Sequence, residues 1–140
     1  MKIGLWGGSG GTAQDIIEVP KRLVTVTINC GDAIDSIEFT YTDRAGQERS
    51  AGPWGGSGGV GHQIGLASHE LVHEVSGTYD FVGGVQVINS FKLVTNLRTW
   101  GPMGVASGTT FCTTAPTDTS IVGFYARSGT FLDAIGVYCL

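Results

Sequence analysis

Two acidic loops carry the most specific chemistry in this 140-residue chain, Gly31-Asp32-Ala33-Ile34-Asp35 and Gly129-Thr130-Phe131-Leu132-Asp133. Each sets a carboxylate four residues after a glycine. A carboxylate offers two acceptor oxygens, and neighbouring loop N–H groups offer donors that converge on the same point. That combination suits two adjacent hydroxyls, each of which donates and accepts, and a sugar ring is the obvious carrier. A single motif of this kind reads more simply as an Asx-type turn, in which the Asp bonds its own loop. Recurrence beside glycine clusters favours a binding loop. A third segment, Gly77-Thr78-Tyr79-Asp80-Phe81, has its carboxylate one position early, with Phe81 where the Asp is expected.

A competing chemistry is written at His69-Glu70-Leu71-Val72-His73, a literal HExxH. On a helix the two histidines share a face and can bind zinc, with the Glu as base. Only 11 residues separate Gly65 from Gly77, which is short for a catalytic helix with flanks. On a strand, residues four apart lie about 13 Å from one another, too far for one metal. His62 adds no recognisable ligand spacing, and the repeat register aligns this window with the strand Val24 to Ile28. Zinc hydrolysis is therefore the outlying alternative, and no enzyme activity, metal or cofactor is expected.

The elements that would position these loops are strands arranged in repeats. Trp6-Gly7-Gly8-Ser9-Gly10-Gly11 recurs as Trp54-Gly55-Gly56-Ser57-Gly58-Gly59, and a weaker copy is Trp100-Gly101-Pro102-Met103-Gly104. The tryptophans lie 48 and 46 residues apart. A fixed period of this length marks a repeat architecture. Between the landmarks, Leu23 to Ile28 and Ile37 to Thr42 alternate in the strand period, as do segments around Val85, Phe91, Ile121 and Ala134. Glycine supplies the turns where φ is positive and lets a ligand approach the backbone closely. No GxGxxG opens a helix and no Lys-Ser/Thr follows the clusters, so a phosphate loop is excluded.

Composition narrows the class further. Charged residues make up 14% of the chain, against about 25% in an ordinary soluble domain. The net charge is −4 and the eight Lys and Arg are scattered, only Lys21-Arg22 being adjacent, which argues against nucleic acid. No apolar run approaches the roughly 18 residues of a membrane span. Met1-Lys2 leads to a glycine cluster by residue 7 without an apolar leader, so a cytoplasmic location is expected. Three widely spaced cysteines, Cys30, Cys112 and Cys139, read as free thiols of a reducing compartment.

The glycine clusters and the ending Gly123-Phe124-Tyr125-Ala126-Arg127-Ser128-Gly129-Thr130-Phe131-Leu132-Asp133-Ala134-Ile135-Gly136-Val137-Tyr138 resemble the mannose-binding branch of the jacalin-related lectins, and the likeness covers essentially the whole chain. The resemblance implies an all-β fold, a β-prism I of three four-stranded antiparallel sheets with pseudo-three-fold symmetry, in one jacalin-type lectin domain over residues 1–140. It implies recognition of mannose/glucose-type glycans without catalysis or metal, as in a plant-defence agglutinin. The first carbohydrate site would join Gly11 to Thr130, Phe131 and Asp133, with the carboxylate accepting and backbone N–H groups donating. A second, banana-lectin-like site would join Gly59 to Asp32, Ala33 and Asp35. The third is expected to be empty, its cluster broken by Pro102 and Met103, while Thr78 to Gly84 forms a rim near the first site. A homodimer is expected, with no membrane insertion. The competing class is a β-prism interaction module without sugar binding, against which the intact Asp35 and Asp133 argue.

Overall fold

A computed structural model describes all 140 residues. It consists of twelve strands: β1 (Lys2–Gly7), β2 (Thr12–Gln14), β3 (Pro20–Cys30), β4 (Ile34–Asp43), β5 (Glu48–Gly55), β6 (Val60–Gly65), β7 (Val72–Val82), β8 (Val85–Thr95), β9 (Thr99–Gly104), β10 (Thr109–Thr114), β11 (Ile121–Ser128) and β12 (Leu132–Cys139). The alternation read from the sequence sets their faces. In β3, Val26, Ile28 and Cys30 point inward while Thr25, Thr27 and Asn29 stay half-exposed. The alternation slips between Leu23 and Val26, where the pairing of β3 with β4 shifts register. A β-bulge inserts a residue and turns the following side chains to the other face.

All the pairings are antiparallel. One sheet runs β5-β4-β3-β6. The other strands follow the path β1-β12-β11-β7-β8-β9, with β2 on β11 and β10 on β7. The expected three separate sheets are thus not what the hydrogen bonds draw. Two four-strand groups merge into an eight-stranded sheet, joined by the single pair Ile121–Val72. No helix is long and apolar enough to cross a membrane.

Phe39, Phe91 and Phe124, all fully buried, meet where the sheets converge. The Phe124 ring packs edge-on against Phe39 at 5.2 Å and against Phe91 at 6.2 Å, and Trp54 approaches Phe39 at 5.4 Å. Burying each such ring stabilises by roughly 1.5–3 kcal/mol, so the central triad ties the repeats together.

The backbone also fixes the repeat register. Left-handed glycines recur at Gly7, Gly55 and Gly104, and again at Gly11, Gly59 and Gly108. The N–H of Gly8 donates to the Asp133 carbonyl (2.8 Å), that of Gly56 to Asp35 (2.9 Å) and that of Val105 to Asn89 (2.9 Å). This corrects the third copy inferred from the sequence. Met103, paired with Phe91 as Trp54 pairs with Ile37, holds the tryptophan position. The third cluster is therefore Gly104-Val105-Ala106-Ser107-Gly108, and Trp100 lies three residues before the tryptophan position.

Candidate functional site

Asp133 is the second residue of β12, directly after the loop Gly129–Phe131. The Gly129 N–H donates to the Phe131 carbonyl at 3.0 Å and closes that loop. Asp133 is only 3% exposed, yet its Oδ1 is buried without a hydrogen-bond partner. Such an orphan acceptor costs about 1–3 kcal/mol and asks for an explanation. The glycine cluster lies against it. A Cβ on Gly11 would fall 2.7 Å from Oδ1, and one on Gly10 3.0 Å from Oδ2. Arg127 holds the cluster, donating from Nε to the Gly10 carbonyl (2.9 Å) and from Nη2 to the Gly11 carbonyl (2.8 Å). Burial pushes the Asp133 carboxyl above its ordinary range, and the charge of Arg127 opposes that shift. The structure therefore brings together Gly11, Thr130, Phe131 and Asp133, around a hollow of about 410 Å³.

The wall opposite comes from another repeat. Val82, Gly83, Val85 and Val87, at the tip of the β7–β8 hairpin, line the same hollow. The expected rim, Thr78 to Gly84, thus contributes Val82 and Gly83, but it stops short of Val85 and Val87. Its reach comes from length. Ser128 pairs with Leu132 and Cys30 with Ile34, four residues on, whereas Tyr79 pairs with Ile88, nine residues on.

The second predicted group repeats the geometry. Asp35 is the second residue of β4, after the loop Gly31–Ala33, whose Gly31 N–H donates to the Ala33 carbonyl at 3.0 Å. A Cβ on Gly59 would fall 2.6 Å from Asp35 Oδ1, and one on Gly58 2.7 Å from Oδ2. Asp32 is exposed and Ala33 buried. In place of Arg127 stands Asn29, whose Nδ2 donates to Ser36 Oγ at 3.1 Å. Asp35 is half-exposed, so this carboxylate is the more solvated of the two.

The third position differs from expectation. Gly77 to Phe81 forms no loop but runs within β7, and the hairpin turn follows at Gly83-Gly84. The residue matching Asp133 and Asp35 is Asn89, 2% exposed. Its Nδ2 donates to Ser107 Oγ (2.8 Å) and to the Ser107 carbonyl (3.2 Å), while Thr78 Oγ1 donates to its Oδ1. Asp80 accepts from Ser107 Oγ and from the Phe81 N–H, each at 2.8 Å. The polar groups here satisfy one another. The sequence did hold the clue: Ile88-Asn89-Ser90 matches Ile34-Asp35-Ser36.

Of the HExxH residues only Glu70 and Val72 are buried, and both histidines are exposed. His69 sits in a turn and only Val72 and His73 enter β7, so the strand expected over the whole window covers just its end. Glu70 is 1% exposed and its carboxylate accepts from the Ala67 N–H (3.0 Å), Thr95 Oγ1 (2.7 Å) and Trp100 Nε1 (3.1 Å), with Arg98 Nε at 3.2 Å. Burial alone would raise its pKa, but these partners hold it below the ordinary value. A carboxylate so engaged fastens the 66–71 turn to β8 and β9.

Comparison with known proteins bears on the same residues. The model of the jacalin-like lectin domain matches residues 3–138. Horcolin from Hordeum vulgare subsp. vulgare is 37% identical over 139 residues, covering 99% of this chain and 95% of horcolin. A mannose/glucose-specific lectin from Parkia platycephala is 32% identical over 145 residues, covering 99% of this chain and 31% of that protein. Among solved structures, AcmJRL, a mannose binding jacalin related lectin from Ananas comosus, matches with a TM-score of 0.95 at 38% identity, covering 100% of this chain and 96% of that one.

Proposed function

The chain belongs to the jacalin-like lectin family, and from that premise we propose that it binds mannose/glucose-type glycans at two shallow sites, without catalysis or metal. One observation carries the reading. The same arrangement of a carboxylate, a short closed loop and a glycine cluster occurs twice, and at Asp133 an acceptor oxygen is buried without a partner. A sugar hydroxyl satisfies it. Asp133 accepts from two vicinal hydroxyls, while backbone N–H groups of Thr130, Phe131 and Asp133 donate, beside Gly11. At the second site Asp35 takes the carboxylate role, with donors from Asp32 and Ala33 and Gly59 as the floor.

Only backbone donors are required in either loop, so the side chains of Thr130 and Phe131 tune affinity. The third position takes no sugar because Asn89 and Asp80 are already bonded internally. The β-prism description follows from reading the merged sheet as two faces hinged at Ile121–Val72. Each site supplies one carboxylate, far short of the roughly six to eight oxygens that calcium takes. Unpaired Cys30, Cys112 and Cys139 support a reducing, cytoplasmic setting. Association into a homodimer would present four sites and favour cross-linking of branched glycans, since linked sites can add about 10²–10⁴-fold in avidity.

Agglutination of mannose-bearing cells tests the proposal. Inhibition by free mannose, with galactose and EDTA ineffective, is the expected result. Inhibition by galactose, or a loss in EDTA that calcium restores, would overturn it.

A further inference from the structure

Gly8 and Gly56 have no need to be glycine on backbone grounds, since neither adopts a positive φ. What constrains them lies overhead. A Cβ on Gly56 would stand 2.2 Å from the Thr130 carbonyl oxygen, and one on Gly8 2.0 Å from that of Gln86. In each case the glycine cluster of one repeat lies directly beneath the hairpin loop of another. The third repeat supplies an internal control. Val105 makes the same backbone hydrogen bond as Gly8 and Gly56, yet it bears a side chain and is 53% exposed. Glycine therefore occurs at this position where a carbonyl presses on it, and valine where the position is open.

The arrangement is lopsided. Thr130 belongs to the loop of the first site, and Gln86 to the hairpin whose Val85 and Val87 wall that site. Both supports thus serve the Asp133 site. The loop of the Asp35 site would lie over Val105, which is exposed. Gly56 is also tied to the second site, because its N–H donates to the Asp35 carbonyl at 2.9 Å.

We propose that Gly56, in the cluster of the second site, is a positioning residue for the first: its bare backbone sets the Thr130 peptide, and through it the N–H groups presented to the sugar. The proposal rests on reading the Asp133 loop as a sugar site. One peptide plane carries the Phe131 N–H on the sugar side and the Thr130 carbonyl on the Gly56 side. Lifting the carbonyl by the width of a methyl group must rotate the donor. The contact also couples the two sites, and such coupling is reciprocal.

The test reads one site at a time. In an Asp35→Ala chain, calorimetry with methyl α-mannoside should report a single site. Adding Gly56→Ala should weaken that site roughly tenfold, within the usual span of coupling effects, while adding Val105→Ala should leave it unchanged. Unchanged affinity with Gly56→Ala would overturn the proposal. If the Asp35→Ala parent binds no mannoside, the sugar-site reading itself falls and the proposal falls with it, an outcome distinct from the first. Should Gly56→Ala not fold, an Asp133→Ala chain titrated with the same mannoside decides the matter in amide NMR spectra. Filling the Asp35 site should shift the Thr130 and Phe131 signals; signals that stay still would overturn the proposal.

Discussion

Asp133 at the head of β12 and Asn89 within β8 hold the same place in two repeats, and each accepts a backbone N–H from its glycine cluster (2.8 and 2.9 Å). They differ by one atom type and by the length of the hairpin before them. The carboxylate is left with an unpaired, buried oxygen under an open hollow. The amide is bonded on both ends, with Ser107 filling the space that Gly10 leaves vacant beside Asp133. The long hairpin that follows Tyr79 no longer frames a site of its own and instead walls its neighbour. A third position that bonds to itself and a wall beside the Asp133 hollow thus both accompany the longer hairpin.

The largest effect is expected from making the two positions alike. Asp133→Asn should abolish the first site, because each hydrogen bond to a charged acceptor contributes roughly 1.5–3 kcal/mol. It should not cost stability. Burial raises the pKa of this carboxyl, so the native state holds its proton more tightly than the unfolded chain does. Stability from this group is therefore lost as pH rises through the folded-state pKa, and at neutral pH the charge is a burden. Asp133→Asn should raise the melting temperature by about 2–4 °C at pH 7; a clear drop would show that the carboxylate supports the fold.

The reverse exchange should fail. Asn89→Asp places a charge at a site 2% exposed, near Asp80, and removes two donated bonds to Ser107. A loss of roughly 3 kcal/mol is expected, with no third sugar in a binding titration. A gained site would mean that the amide, and not the length of the hairpin, closes this position.

Smaller effects separate the two proposed sites. Arg127→Gln removes two charge-assisted bonds to Gly10 and Gly11, and the first site should weaken about tenfold, roughly 1.5 kcal/mol. The second site, with Asn29 in that place, should not change. Site-resolved calorimetry in Asp35→Ala and Asp133→Ala backgrounds makes the comparison. The smallest expected effect is in pH. Since binding needs the carboxylate and burial raises its pKa, affinity at the first site should fall on acidification before an ordinary aspartate (pKa about 3.9) would protonate. Arg127→Gln should move that loss to still higher pH. A first site that holds its affinity below pH 4 would contradict the assignment.

Much of this was legible in the residues. Strict alternation in Ile37 to Thr42, and the β-branched run Leu23 to Ile28 with its one slip, mark strands, and the paired texts around Asp35 and Asp133 mark their loops. The third repeat was misread because Trp100 is the most conspicuous residue near its start, although Met103 holds the equivalent position. The clamp by Arg127 was hidden for another reason: it spans 116 residues to Gly11, and no local pattern encodes a contact of that range. The merging of two sheets rests on one pair, Ile121–Val72, which periodicity cannot foresee.

The central claim is that two of three equivalent positions take a sugar. Calorimetric stoichiometry with methyl α-mannoside measures it directly. Two sites per chain are predicted for the native sequence, one for Asp35→Ala, one for Asp133→Ala and none for the double variant. Three sites in the native chain, or two remaining in either single variant, would contradict the account.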